Sequence, residues 1–171
     1  MNWDAQFTEL FRRCLDLYQG GNSDFMSYYS KDDLTFLGSI GYKPRELFDF
    51  VEDLADEDVP SESTALLIAA VRRDYFLTMQ NGVASKVEIT GNDVPTREAE
   101  LGGIAYLPRI IAKANAKLRG ELHPDLMFSC GGDRKFLTEK KIHAADFLRH
   151  VWAADGDDEK VLSFVKSSTG K

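Results

Sequence analysis

Apolar and polar residues alternate along this chain mostly in steps of three and four, the repeat of an α-helix. Trp3, Phe7, Leu10, Phe11, Cys14, Leu17 and Tyr18 recur at that spacing, and Gln-Gly-Gly-Asn at 19–22 ends the run. A helix is expected over 3–18, with Cys14 a small buried hydrophobe on its inner face. Ser30 with Asp33 three residues later resembles a capping signature. It should start a short helix through Leu34, Phe36 and Leu37 that ends near Gly38 or Gly41. Pro44 suits the first position of the next helix, which turns Leu47, Phe48, Val51, Leu54 and Ala55 inward. Glu46, Asp49, Glu52, Asp53 and Asp56 lie on its other face, read as solvated. The run ADEDVPSES reads as a loop.

Residues 62–80 are apolar nearly all round, which marks a central buried helix. Arg72, Arg73 and Asp74 interrupt it, so at least one charge should be partly buried and in need of a partner. Neighbours on a helix point in different directions, so Arg73 and Asp74 are expected to find partners elsewhere in the chain. The stretch NGVASKVEITGNDVP reads as a turn, a short β-like segment at Val87 and Ile89, and a second turn; with 125–129 it is the strand material this pattern offers. Pro108 opens a helix and Gly120 closes it, with Ile110, Ile111, Ala114 and Leu118 inward. Arg109, Lys113 and Lys117 repeat every four residues as a basic stripe, which reads as exposed surface or as a face for a phosphate or an acidic partner. Asp133 can cap a helix over about 134–141. Another runs from about His143 or Ala144 to Ala154, with Phe147, Leu148, Val151 and Trp152 inward. A last one starts at DGDDEK and carries Val161, Leu162, Phe164 and Val165. The pattern predicts a mostly α protein, a single compact helical domain over 1–171 with about seven helices and at most a short two-stranded β element.

Composition agrees with that picture. A chain of 171 residues, 43% hydrophobic and 29% charged with five prolines, can bury a core without staples. Two cysteines, Cys14 and Cys130, make no disulfide framework, so a reducing, cytoplasmic setting is expected. The opening MNWDAQFTEL has no basic n-region and no apolar h-region, so no secretory leader is expected. No apolar stretch approaches the length of a membrane span. The net charge of −7 is uneven: residues 1–104 carry 9 basic and 19 acidic side chains, residues 105–171 carry 12 and 9. That argues against general nucleic-acid binding, which needs a strong positive field. The plainer reading of the asymmetry is two solvated faces that complement each other.

Five stretches carry a likeness to a known family. FLGSIGYKPRELFDFVED, ALLIAAVRRDYFL and above all ELGGIAYLPRIIAKANAKLRGEL, followed by MFSCGGDRKFL and FLRHVWAADGDDEKVLSFVK, resemble the bacterial domain-of-unknown-function family numbered 5069 over nearly the whole chain. The order Gly-Gly, Leu-Pro-Arg and a basic, alanine-rich helix is the most distinctive part. The resemblance implies a compact bacterial protein and no particular reaction.

The chemistry must therefore come from the residues. In CGGDR, Gly131 and Gly132 would let the backbone turn with positive φ, and the amides up to Arg134 would lead into a helix N-terminus that attracts anions. Arg134 adds a fixed charge, and Cys130 in that setting is a candidate nucleophile. The plainer reading is a glycine turn with Asp133 as an ordinary N-cap and Cys130 as filler. In VRRDYF, Asp74 and Tyr75 could share a closed cavity, with Asp74 a general base or the anchor of an arginine; the plainer reading is a structural ion pair. His143 and His150 lie two turns apart on one face, but a metal needs at least three ligands; Asp146 between them makes a His-Asp-His face conceivable, and no metal site is assigned. Glu46, Asp49 and Asp53 lack matching carboxylates on a second helix. No Walker loop or dinucleotide fingerprint is present, and no cofactor is implied.

The expectation is a protein that binds a small anionic metabolite. Arg109, Arg134 and the amides of Gly131, Gly132 and Asp133 would hold it, Arg73, Asp74 and Tyr75 would orient it, and Cys130 and Asp74 are the candidate catalytic groups. The alternative is a non-catalytic interaction or assembly subunit, with a homodimer as one form. Neither a nucleic acid nor a membrane is expected as a partner.

Overall fold

Where the three- and four-residue repeats are longest, the helices form as the pattern requires. The computed structural model describes residues 2–169. Among them are eight α-helices and one short two-stranded antiparallel sheet. The chain divides into two compact units, Met1–Ala84 and Ser85–Lys171.

The first unit holds α1 (Trp3–Gln19), a 3-10 turn at Phe25–Tyr28, α2 (Lys31–Ser39), α3 (Pro44–Glu57) and α4 (Glu62–Thr78). α1 packs against α3 and α4 and buries Phe7, Leu10, Phe11 and Cys14, the face its spacing predicts. Each such side chain contributes roughly 1.5–3 kcal/mol. Ser30 and Asp33 form the reciprocal capping box of α2, and Pro44 opens α3.

Three expectations for this unit need correction. Glu46 and Asp49 are buried, not solvated: Glu46 accepts the Lys43 N–H at 3.0 Å, and Asp49 pairs with Arg45 at 2.7 Å. The loop after α3 is shorter than expected, because α3 runs to Glu57 and α4 begins at Glu62. α4 is not buried all round either: Leu67 and Leu77 are each 41% exposed.

The second unit holds β1 (Glu100–Leu101), β2 (Ile104–Ala105), α5 (Leu107–Arg119), α6 (Gly131–Glu139), α7 (Ala144–Ala154) and α8 (Asp158–Thr169). α7 packs on α5 and α8, and β1 lies against α5. Ile110, Ile111, Ala114 and Leu118 of α5 are buried, and Gly120 ends the helix in the left-handed conformation (φ 68°). The sheet is not where β-branched residues suggested. Ile89 makes only a single parallel bridge with Leu122, and 125–129 is not a strand. The hairpin is LGGIA, with Gly102 and Gly103 both at positive φ (56° and 78°), the geometry that a two-residue hairpin turn needs. A Cβ on Gly102 would lie 2.4 Å from Leu162 Cδ2, so glycine also lets α8 approach the turn.

Candidate functional site

The N-terminus of α6 collects most of the polar groups singled out in the second unit. Its first helical residues are Gly131, Gly132 and Asp133, and Cys130 is the N-cap residue. The helix therefore starts earlier than the 134–141 expectation, and Asp133 is its third residue, not its cap. The glycines serve a different purpose from the one expected. Ser129 makes the left-handed turn (φ 69°), and neither Gly131 nor Gly132 has a positive φ. Gly132 is needed for space: a Cβ there would lie 3.0 Å from the Tyr106 hydroxyl.

Asp133 is fully buried and satisfied from three sides. Lys113 Nζ approaches Oδ2 to 2.6 Å, the Ser129 N–H donates to the same oxygen at 2.8 Å, and the Tyr106 hydroxyl donates to Oδ1 at 2.8 Å. A carboxylate near a helix N-terminus is also favoured by the helix dipole. Lys113 and Asp133 are 2% and 0% exposed, so this is a desolvated ion pair, which is stable only because added hydrogen bonds complete it. Tyr106 caps α5 in the left-handed conformation (φ 72°), and its ring packs on Phe136 with centroids 5.7 Å apart. Burial, and then the charge of Asp133, push its phenol well above the usual tyrosine range, so it stays a donor.

Lys113 also donates to Cys130 Sγ at 3.3 Å, and the cysteine is half-exposed. A buried ammonium thus sits between a carboxylate and a thiol. Arg134 reaches back to the Ser129 carbonyl at 2.8 Å, and its Nη2 lies 3.8 Å from where a Gly131 Cβ would be. Arg97 Nη1 lies 3.5 Å from the corresponding Gly132 position. Two guanidiniums therefore flank the bare first turn of α6, whose leading N–H groups have no intrahelical acceptor.

Sequence reasoning missed Lys113, Arg97 and Tyr106. The four-residue stripe Arg109, Lys113, Lys117 was visible, but Lys113 and Lys117 are buried where a solvated stripe was the common expectation. The signal for burial was present: positions 110, 114 and 118, just beside the stripe, are apolar and inward. Arg109 is directed at the Pro95 carbonyl (2.8 Å) and ties down the segment before β1.

The remaining candidates lie in the first unit. Asp74 is 57% exposed and not in a closed cavity, and it pairs with Arg73 at 3.2 Å. The expectation that these neighbours cannot meet fails: the long arginine side chain reaches the adjacent carboxylate. Arg73 also lies over the Trp3 ring at 5.0 Å. Tyr75 is half-buried. The buried charge of α4 is Arg72, 1% exposed, which donates to Gln80 Oε1 at 2.8 Å and stacks over Phe76. In the second unit, His143 caps α7 by accepting the Ala145 N–H, and His150 stacks on Phe164.

Residues 94–170 match the family described as Domain of unknown function (DUF5069). Over that span the chain belongs to this family. The DUF5069 segment contains Arg97, Tyr106, Arg109, Lys113 and the whole Ser129–Arg134 turn, so every contact at the α6 N-terminus falls inside it. The stretches at 36–53 and 65–77, where the same likeness is expected from the sequence, lie outside the matched span. No curated protein and no solved structure matches the chain. Among the described residues no helix is long and apolar enough to cross a membrane, and no group of three or more acidic, histidine or cysteine side chains could hold a metal ion.

Proposed function

We propose that the DUF5069 segment binds a small anionic metabolite, a phosphate or a carboxylate, at the N-terminus of α6. The observation that carries this reading is the pair of guanidiniums, Arg97 and Arg134, set against a helix end whose first two residues have no side chains. Lys113 adds a third positive charge beside the buried Asp133 carboxylate. The helix dipole acts in the same direction. Gly131 and Gly132 would donate their N–H groups to the anion and the arginines would supply charge. Arg109 braces the segment that carries Arg97, and Cys130 stands at the rim as the nucleophile if a reaction follows binding. The setting we propose is a bacterial cytoplasm, in keeping with two free cysteines.

A thermal-shift series with inorganic phosphate, sulfate and simple carboxylates tests the reading. Ligand at a hundred times its dissociation constant should stabilise the protein by about 2.7 kcal/mol. Arg97→Gln, at an exposed position, should remove that gain and leave the unliganded melting temperature in place. No stabilisation by any of these anions would sink the reading.

A second reading, an interaction or assembly subunit without catalysis, draws support from the exposed Leu67, Leu77 and Met79 in and just after α4. Light scattering over a concentration series separates the two. A dimer dispersed by Leu67→Asp would favour assembly, and a monomer at all concentrations would count against it.

A further inference from the structure

Lys113 and Cys130 present a chemistry that anion binding does not use. The amine nitrogen is 3.3 Å from the sulfur, within the range of a near-attack pair. The two ends differ in access: the thiol is half-exposed, whereas Lys113 is 2% exposed and held from behind by Asp133 Oδ2 at 2.6 Å. A small oxidant can therefore reach the sulfur, while the nearest nucleophile to the oxidised sulfur is a lysine that cannot swing away. The other thiol is no rival partner. Cys14 is fully buried on α1, and burial pushes its thiol up to about 11.

We propose that Cys130 and Lys113 form a covalent sulfur–nitrogen bridge when a hydroperoxide oxidises the cysteine. In the first step the sulfur attacks one oxygen of hydrogen peroxide. The O–O bond breaks, water leaves, and the thiol becomes a sulfenic acid. In the second step Lys113 passes one proton to Asp133 Oδ2, and its freed lone pair attacks the sulfur. The S–O bond breaks, and the departing hydroxide takes a proton from nitrogen and leaves as water. The sum is one thiol, one amine and one hydrogen peroxide giving one sulfenamide and two waters. Sulfur loses two electrons and the peroxide gains them. Sulfenic acids condense with a backbone nitrogen to a sulfenamide in this way, and a deprotonated lysine amine is a stronger nucleophile than an amide. Effective molarities of well-held pairs reach about 10⁵–10⁸ M, so the internal amine outruns a second peroxide molecule and protects the sulfur from irreversible oxidation. The bridge would also fasten the middle of α5 to the start of α6 and remove the ammonium that pairs with Asp133.

The test treats the full chain with hydrogen peroxide and maps its tryptic peptides without reductant. The expected product joins the peptides that contain Lys113 and Cys130, lighter than their sum by two hydrogens and separated again by a thiol reductant. Cys130→Ser should not give it. Lys113→Arg keeps the charge but not the nucleophilic amine, and its Cys130 should run on to sulfinic and sulfonic acids. If that variant fails to fold, the wild-type map decides alone. Cys130 overoxidised, with the Lys113 peptide unmodified, overturns the proposal.

Discussion

Replacing Lys113 by methionine removes the ammonium and keeps most of the side-chain volume, so the cavity contribution is small. What remains is a fully buried Asp133 whose donors are reduced to the Tyr106 hydroxyl and the Ser129 N–H. Breaking a buried pair from one side costs about 3–5 kcal/mol, because the surviving charge is left desolvated without a counter-ion. Asp133→Asn leaves the lysine in the same position from the other side, and a similar loss is expected. The double variant removes both charges. Its loss should fall short of the sum of the singles by about 2–3 kcal/mol, the size of coupling expected for groups in direct contact. Urea unfolding measures the three losses, and hydrogen exchange of the α5 and α6 amides shows that they fall on this unit. Single losses below about 1 kcal/mol that simply add would refute the reasoning, since they would mean that the two groups do not share a desolvated pair.

Further outcomes follow from particular contacts. Gly102→Ala and Gly103→Ala place a side chain at positive φ in the same turn, but only the first meets Leu162, at 2.4 Å. Thermal unfolding should show a loss at 102 that exceeds the loss at 103 by about 1–3 kcal/mol, and equal losses would contradict that packing. Burial works against the charge of Asp33, but the Arg13 guanidinium and the Ser30 cap hold its carboxyl below the usual range. Its contribution is then present above the unfolded carboxylate pKa and lost as pH falls through the folded one. Asp33→Ala should cost about 1 kcal/mol at neutral pH and flatten the acid limb of a stability–pH curve; an unchanged acid limb would contradict the assignment. Iodoacetamide at neutral pH should label half-exposed Cys130 in the folded protein and reach buried Cys14 only after unfolding. Labelling of Cys14 first would reverse the assignment.

The helices were legible because each buries a single apolar stripe, which local spacing encodes directly. Phe7, Phe11 and Cys14 of α1 face inward as their steps of three and four require, and Ser30, Pro44 and Gly120 sit at helix ends for reasons visible within a few residues. The hairpin was legible too, in the two glycines between Leu101 and Ile104, but β-branched residues at 87 and 89 drew the expectation elsewhere. The polar interior was not legible, because it depends on partners distant in sequence. Lys113 pairs with an acid twenty residues on, and although the apolar positions beside it in α5 point to burial, nothing local names that partner. Among Arg72, Arg73 and Asp74 the spacing could not select the buried charge. The loop beyond α4 selects it, because it brings Gln80 to Arg72, while Arg73 lies across Trp3.

The proposed anion site is the bare first turn of α6. Amide NMR during a phosphate titration reads that turn directly. The Gly131 and Gly132 resonances should shift saturably and together, and the same titration of Arg97→Gln should leave them still. Unmoved glycine amides in the wild-type protein at phosphate levels that stabilise it would contradict the account.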